Sequence, residues 1–169
     1  MDGRQIADIL VLNALGIKPS MAQFRDRLVV QKTIYLAQEI GIDLGYHFGW
    51  YLRGPYCSVL SDDMFAAIAD PDGVDNALAR WKLDPAWGEP LEKLRTLIGA
   101  LGSDLASRLE LLASVQFLVS RGKSRELNAQ KITAQLQAFG KEFSVPQVRE
   151  AVRSLQGANL FTRARSNRS

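Results

Sequence analysis

Residues 21–40 constrain the fold more than any other segment. On a helical wheel of about 100° per residue, their apolar side chains point in three directions instead of one. These three sets are Phe24, Leu28 and Tyr35; Val29, Leu36 and Ile40; and Val30, Ile34 and Ala37. A helix that is apolar almost all round is surrounded by protein, so the segment predicts a buried central helix around which the rest of the chain packs.

The same helix carries two polar stripes that a buried position has to accommodate. The stripes are Arg27, Gln31 and Gln38, and Arg25, Lys32 and Glu39. Polar groups on a buried helix need hydrogen-bonding partners. One interpretation is that these side chains satisfy backbone groups of the aromatic segment that follows. The other is that one stripe lines a binding groove.

Glycine and proline divide the rest of the chain into further helices, whereas strand signals are scarce. The predicted helices cover about 3–15, 21–40, 58–69, 89–101, 103–119, 125–139 and 144–156. We expect a short strand or hairpin within 45–57, a turn at 70–73, and irregular structure over 72–88. The prediction is a mainly α, compact helical domain around the central helix. Residues 1–88 would form a helical lobe with the β element, 89–162 a helix-turn-helix-like lobe sharing its core, and 163–169 a disordered basic tail.

The last two predicted helices have the outline of a helix-turn-helix. Ser144 and Gln147 fit a capping box at the start of the second helix, and Gly157 would end it. Residues 159–162 would then begin a short strand, the stub of a wing. In that case Gln147, Arg149 and Arg153 would be the exposed residues of a recognition helix. A helix pair of this outline is also an ordinary unit of a protein core.

Composition excludes several classes of protein. The chain has 169 residues, of which 47% are hydrophobic and 23% charged, as in soluble globular proteins. No apolar run approaches the roughly 20 residues of a membrane span, so we expect no membrane contact. One cysteine forms no internal disulfide, which fits a reducing cytoplasm. With one histidine as well, we expect no metal site and no cofactor.

Charge is unevenly distributed along the chain. Residues 1–101 carry a net charge of −3 and residues 102–169 a net charge of +6. A basic half of this kind indicates, weakly, contact with an anionic partner such as DNA or an acidic protein face.

The residue types of an active site are scarce. The chain contains no phosphate-binding loop, no GxSxG and no HExxH motif. His47 and Cys57 lack a third group to orient them, so we expect Cys57 to cap or pack. Asp62 and Asp63 would lie in the first turn of a helix, where carboxylates complement the helix dipole. The sequence therefore predicts that the chain is not an enzyme.

The segment 45–57 is the most distinctive local feature. It combines aromatic residues with glycines, an arginine and a Gly-Pro turn. Packed on the central helix, it would be structural. Exposed, its Trp50, Tyr51, Arg53 and Tyr56 would form a rigid amphipathic surface of the kind that anchors protein partners. Both interpretations stay open at this point.

Residues 27–64 resemble the signature region of the Panacea (SocA-like) antitoxin domain. They are still more similar to an uncharacterised prokaryotic group called YwgA-like. Both show a Gln-Lys-x-x-Tyr-Leu helix core, then an aromatic strand, and then a Gly-Pro turn leading into a helix. The matching residues here are Gln31, Lys32, Tyr35, Leu36, Phe48, Trp50, Tyr51, Gly54, Pro55 and Tyr56. Cys57 stands where a serine is usual.

The resemblance implies a helical fold and a binding role, because Panacea-type domains neutralise toxins by direct contact. The SocA-like branch is associated with presenting a toxin to a protease. We therefore expect a non-catalytic module of a prokaryotic defence or stress system, with a toxin or protease-adaptor type of protein partner. The predicted partner-binding residues are Arg27, Gln31, Lys32, Trp50, Tyr51, Arg53 and Tyr56. The alternatives are a DNA-binding transcriptional regulator that uses the helix at 144–156, and association as a homodimer.

Overall fold

The computed structural model describes residues 1–122 and 127–161, and within them it confirms the predicted mainly α class. In this part of the chain, a two-stranded antiparallel sheet is inserted among eight α-helices. The elements in chain order are α1 (Gly3–Ala14), α2 (Phe24–Ile40), β1 (Gly49–Tyr51), β2 (Gly54–Tyr56), α3 (Ser58–Ile68), α4 (Pro71–Arg80), a 3-10 helix (Pro85–Trp87), α5 (Gly88–Ile98), α6 (Leu105–Ser120), α7 (Ala129–Ala138) and α8 (Val145–Gly157).

Helix α2 is the centre of the fold, as its all-round apolar character predicts. Every residue from Leu28 to Ala37 is buried. The helix packs against α1, α3, α5, α6 and β2, so protein covers it on all sides. It ends at Gly41, whose φ of +119° places it in the left-handed region that glycine tolerates.

Helix α6 is a second buried helix beside α2. All residues over 112–119 are buried, because α2 covers one side of α6 and α8 another. The buried apolar side chains form one cluster that runs from Ile9 to Leu160. Residues on both sides of position 88 therefore contribute to a common core.

The expectation of irregular structure over 72–88 is wrong for 72–80, which belong to α4, whereas 81–84 have no regular structure and 85–87 form the 3-10 helix. The run Asp70-Pro71-Asp72-Gly73 starts helix α4 and does not simply turn the chain. The Asp70 side chain caps the helix by accepting a hydrogen bond from the backbone N–H of Gly73 at 3.0 Å. Pro71 occupies the first turn, where its missing N–H has no helical partner to lose.

The C-terminal helix pair forms, but the predicted strand after it does not. The Ser144–Gln147 capping box is present at the start of α8, and α8 packs on α7. Asn159 adopts a left-handed turn with a φ of +59°, after which Leu160 and Phe161 form a 3-10 turn. Leu160 is buried in the core, which fixes this turn in place of an extended strand. Thr162, the basic tail and the start of the helix predicted at 125 lie outside the described residues.

We predict that truncating a side chain of α2 to alanine lowers the free energy of unfolding strongly at a buried position and little at an exposed one. Leu36→Ala should lower the free energy of unfolding by about 2–5 kcal/mol, because the Leu36 side chain is fully buried. Phe24→Ala, at the exposed start of the same helix, should change it by about 0.5 kcal/mol or less. Urea denaturation of both variants measures the difference. Equal losses would contradict a buried central helix.

Candidate functional site

The strands β1 and β2 form a tight hairpin with Leu52 and Arg53 at its tip. Gly49 pairs with Tyr56, Trp50 with Pro55, and Tyr51 with Gly54. Gly54 has a φ of +88°, and a Cβ at this position would lie 2.5 Å from the Ser114 Oγ of α6. A glycine is therefore required where the hairpin backbone approaches α6.

The inner face of the hairpin consists of Trp50 and Pro55. The Trp50 ring centroid lies 5.7 Å from that of Phe117 on α6 and 4.6 Å from that of Phe139 after α7. Trp50 is half-buried and Pro55 is buried. The hairpin is therefore held by aromatic packing on the side that faces the core.

The outer face of the hairpin, defined here as Tyr51, Leu52, Arg53 and Tyr56, is turned toward solvent. Leu52 is 75% exposed, Tyr51 58% and Tyr56 36%. The rings of Tyr51 and Tyr56 lie 5.4 Å apart at an interplanar angle of 36°, and the Ser61 hydroxyl donates to the Tyr56 hydroxyl at 3.2 Å. This face presents ordered apolar surface beside a cation.

Three polar side chains of α2 fix the backbone of the aromatic segment, and we call them the α2 clamp. Gln31 donates to the Cys57 carbonyl at 2.7 Å and accepts from the Cys57 N–H at 2.9 Å. Gln38 makes the same pair of bonds with Tyr46, at 2.9 and 2.8 Å. The Lys32 ammonium donates to the Pro55 carbonyl at 2.6 Å. Backbone polar groups at both ends of the hairpin segment are thus satisfied inside the protein.

The clamp corrects part of the predicted partner-binding set. Gln31 and Lys32 are each only 2% exposed, so they do not line an exposed groove. They satisfy backbone groups of the aromatic segment, the other interpretation of the polar stripes. Arg27 is half-buried, and its guanidinium donates to the Met21 carbonyl at 2.9 Å and to Ala22. Of the seven residues, Tyr51, Arg53 and Tyr56 are exposed and Trp50 is half-buried.

A cluster of charged groups lies where the hairpin meets α6 and the turn before α8. The Lys141 ammonium lies 2.6 Å from Glu110 Oε1, and the Arg53 guanidinium lies 3.8 Å from Glu110 Oε2. Burial and the nearby Lys141 lower the pKa of Lys32 to about 7, while Glu110 acts in the opposite direction. Cations therefore outnumber carboxylates in this cluster when Lys32 is protonated.

A second polar cluster joins α1, α3 and the segment before the hairpin. The Tyr46 hydroxyl lies 2.5 Å from Asp8 Oδ2 and 2.9 Å from Asp63 Oδ2. Arg4 lies 2.9 Å from Asp63 Oδ2. Asp62 and Asp63 lie beyond the first turn of α3, so the predicted dipole role is wrong for both. The spacing of the aspartates along the chain carries no signal for this cluster, because its members are brought together by tertiary packing.

The candidate DNA-contact residues on α8 do not share one face. Gln147 lies with Glu150 and Ser154 along a groove of about 500 Å³ between α5, α6 and α8, and its Oε1 accepts from the Ser144 N–H. Arg149 and Arg153 are exposed. On an α-helix, two residues separate Gln147 and Arg149 by about 200°, so the arginines lie on the opposite side.

The described residues contain none of the arrangements that hold metal ions. No group of three or more histidine, cysteine, aspartate or glutamate side chains within 1–122 and 127–161 is placed to bind one. Cys57 is buried and His47 is exposed. Cys57 occupies the N-cap position of α3 without a side-chain capping bond, so it packs and does not cap.

Comparisons of the chain with models of protein families, with curated proteins and with solved structures found no match. Among the helices of the described residues, none has the combination of length and apolar character needed to cross a bilayer.

We predict that the buried Lys32 gives the protein a stability that rises with pH between about 7 and 10. The native state releases its proton near pH 7, whereas the unfolded chain holds it until about 10.5, so raising the pH in this window favours the native state. The gain is at most about 4 kcal/mol. Urea denaturation at pH 7, 8.5 and 10 measures it. Lys32→Met should lack the gain, and an unchanged slope in this variant would contradict the assignment.

Proposed function

We propose that this chain is a cytoplasmic, non-catalytic protein-binding module of the antitoxin or adaptor type, acting in a prokaryotic defence or stress system. Its docking site would be the outer face of the hairpin. The observation that carries the proposal is the exposure of Leu52 and Tyr51 on a hairpin whose opposite face and both ends are fixed to the core. Large apolar side chains held rigidly at a surface are typical of binding hot spots.

The rigidity of the hairpin supports a protein as the ligand. Tyrosine offers a large contact area with few rotatable bonds, so little conformational entropy is lost when a partner packs on it. Tyr56 is further restrained by Ser61, and Tyr51 by its contact with Tyr56. A projecting hairpin tip also suits a partner's groove better than it would suit a small molecule, which proteins bind in concave pockets.

The family resemblance supports the same site. Gln31 and Lys32, two residues of the resemblance, belong to the α2 clamp. Trp50, Tyr51 and Tyr56, three others, form the hairpin itself. The motif of the resemblance thus corresponds to one physical unit, a projecting hairpin and the buried side chains that support it. A bound partner would be masked sterically or presented to a protease.

We predict that partner capture depends on the outer face of the hairpin. Leu52→Asp and Tyr51→Ala should each reduce recovery of a stoichiometric partner, in pull-downs from the native host, by about 10-fold or more, as loss of a hot-spot residue does. Trp81→Ala is the matched control, because Trp81 is similarly exposed but follows α4. Nuclease treatment and two salt concentrations separate protein from nucleic-acid partners, and thermal unfolding checks the fold.

Recovery that is equal in the hairpin variants and in Trp81→Ala would contradict the proposed site. Loss of capture together with loss of folding would mean that Tyr51 and Leu52 are needed for folding and do not form a docking site. Capture of a second copy of the chain, lost in the same variants, would make the hairpin a homodimer interface.

The exposure of Arg149 and Arg153 on one side of α8 favours DNA binding as a second candidate. If the chain binds DNA, the amount of nucleic acid recovered in the pull-down should fall steeply as the salt concentration rises, because binding to phosphates releases counterions. The double variant Arg149→Ala/Arg153→Ala should abolish that recovery, whereas Leu52→Asp should leave it intact. Glu150, which directly follows Arg149 in the chain, would oppose contact with phosphate.

A further inference from the structure

The Tyr46 hydroxyl occupies a position between two carboxyl groups. It lies 2.5 Å from Asp8 Oδ2, on α1, and 2.9 Å from Asp63 Oδ2, on α3. Tyr46 itself precedes β1 by three residues. Asp8 is fully buried, and its second oxygen, Oδ1, has no hydrogen-bond partner in the described part of the chain.

Proton counting makes this geometry incompatible with two ionised carboxylates. A phenol carries one hydrogen and donates one such bond. If Asp8 and Asp63 were both ionised, one of the two short contacts would set oxygen lone pairs against each other without a hydrogen between them. A further proton on one carboxyl gives both contacts a hydrogen.

The surroundings decide which carboxyl holds that proton. The Arg4 guanidinium lies 2.9 Å from Asp63 Oδ2 and stabilises the ionised form of Asp63. Asp63 is also only half-buried, whereas Asp8 is cut off from water. An isolated buried charge is much more costly than a paired, partly hydrated one. The proton therefore belongs to Asp8.

We propose that Asp8 is a protonated carboxylic acid in the folded protein near neutral pH, and that the chain Asp8–Tyr46–Asp63–Arg4 is a pH-sensitive lock on the segment leading into the hairpin. In this chain Asp8 donates to the Tyr46 hydroxyl, Tyr46 donates to Asp63, and Arg4 donates to Asp63. Every short contact then has one donor and one acceptor. Loss of the Asp8 proton leaves one of them without a hydrogen.

The electrostatic surroundings agree with the geometry. The pKa of Asp8 is raised to about 7, chiefly by burial and to a smaller extent by the nearby Asp63 and Asp2, against the opposing effects of Tyr46 and Arg4. Arg4 and Asp2 come from the α1 end, Tyr46 from the segment before β1, and Asp63 from α3. Asp8 therefore loses its proton, and the lock opens, within the physiological pH range.

The lock acts on the same segment as the α2 clamp but through a different atom. Gln38 holds the Tyr46 backbone, and this contact has no titratable group. The hydroxyl chain holds the Tyr46 ring against α1 and α3. Deprotonation of Asp8 should therefore loosen the ring and the attachment of the segment to these helices while the backbone bonds to Gln38 persist.

Infrared spectroscopy of the wild-type protein tests the proposal directly. At pH 6 exposed aspartates and glutamates are ionised, since their pKa values lie near 4. The carbonyl stretching band of a protonated carboxylic acid should therefore persist at pH 6 and disappear by pH 9. It should be absent from Asp8→Asn at pH 6 and unchanged in Asp75→Asn, a control at an exposed aspartate of α4. A folded wild-type protein without this band at pH 6 would overturn the proposal.

Folding stability gives a second readout. The native state keeps the Asp8 proton up to about pH 7, whereas the unfolded chain loses it near pH 4. The stabilisation that this proton contributes is therefore complete below pH 4 and is lost as the pH rises to 7. Through the titration of Asp8 alone, the folding equilibrium constant should fall by up to about 1000-fold between pH 4 and pH 7. Asp8→Asn should lack that drop, and the same slope in this variant would count against the lock. If Asp8→Asn does not fold, the wild-type infrared band alone decides.

Discussion

The hydrogen bonds from buried polar side chains of α2 to the backbone of the aromatic segment are the contacts on which the site depends. A short hairpin of two three-residue strands is marginally stable in water on its own. Here Gln31 and Gln38 each complete a pair of bonds with one backbone residue, and Lys32 satisfies a third. The bonds of Gln31 and Lys32 are shielded from water, so breaking one leaves unsatisfied groups in the core, which is more costly than losing an exposed bond. The hairpin is therefore as well fixed as the helix that supports it.

The residues that support the hairpin are different from the residues that it exposes to solvent. The side chains that hold the hairpin backbone in place belong to α2, whereas the exposed side chains of the hairpin are those of its outer face. The inner face, Trp50 and Pro55, joins the two by packing on Phe117 and Phe139. A partner that docks on the outer face, as proposed above, would require little reorganisation of it, so more of the contact energy would be available as affinity.

The sequence was sufficient to predict those features that depend on local pattern. The all-round apolar character of 21–40 predicted the buried helix, and the spacing of Ser144 and Gln147 predicted the cap. The predicted Gly54-Pro55 turn is wrong, because Gly54 and Pro55 belong to β2 and the hairpin turns at Leu52 and Arg53. The local pattern is also misleading at Asp70-Pro71, where a capping aspartate followed by proline starts a helix, at Asn159, which leads into a 3-10 turn, and at Asp62 and Asp63, which lie beyond the first turn of α3. The Asp8–Tyr46–Asp63 cluster was not predictable, since its residues lie far apart in the chain and no periodicity relates them. The polar stripes of α2 were predicted, but only the structure distinguishes a clamp from a groove.

Hydrogen exchange at single amides tests most directly whether the hairpin is held by the clamp. The Cys57 N–H, bonded to Gln31, and the Tyr46 N–H, bonded to Gln38, should exchange as slowly as amides in the middle of α2, because both should open only with global unfolding. In Gln31→Leu the Cys57 amide should exchange about 100-fold faster or more, while the Tyr46 amide keeps its protection relative to the variant's own global stability. Wild-type Cys57 and Tyr46 amides that exchange at the rate of unprotected loop residues would contradict the account.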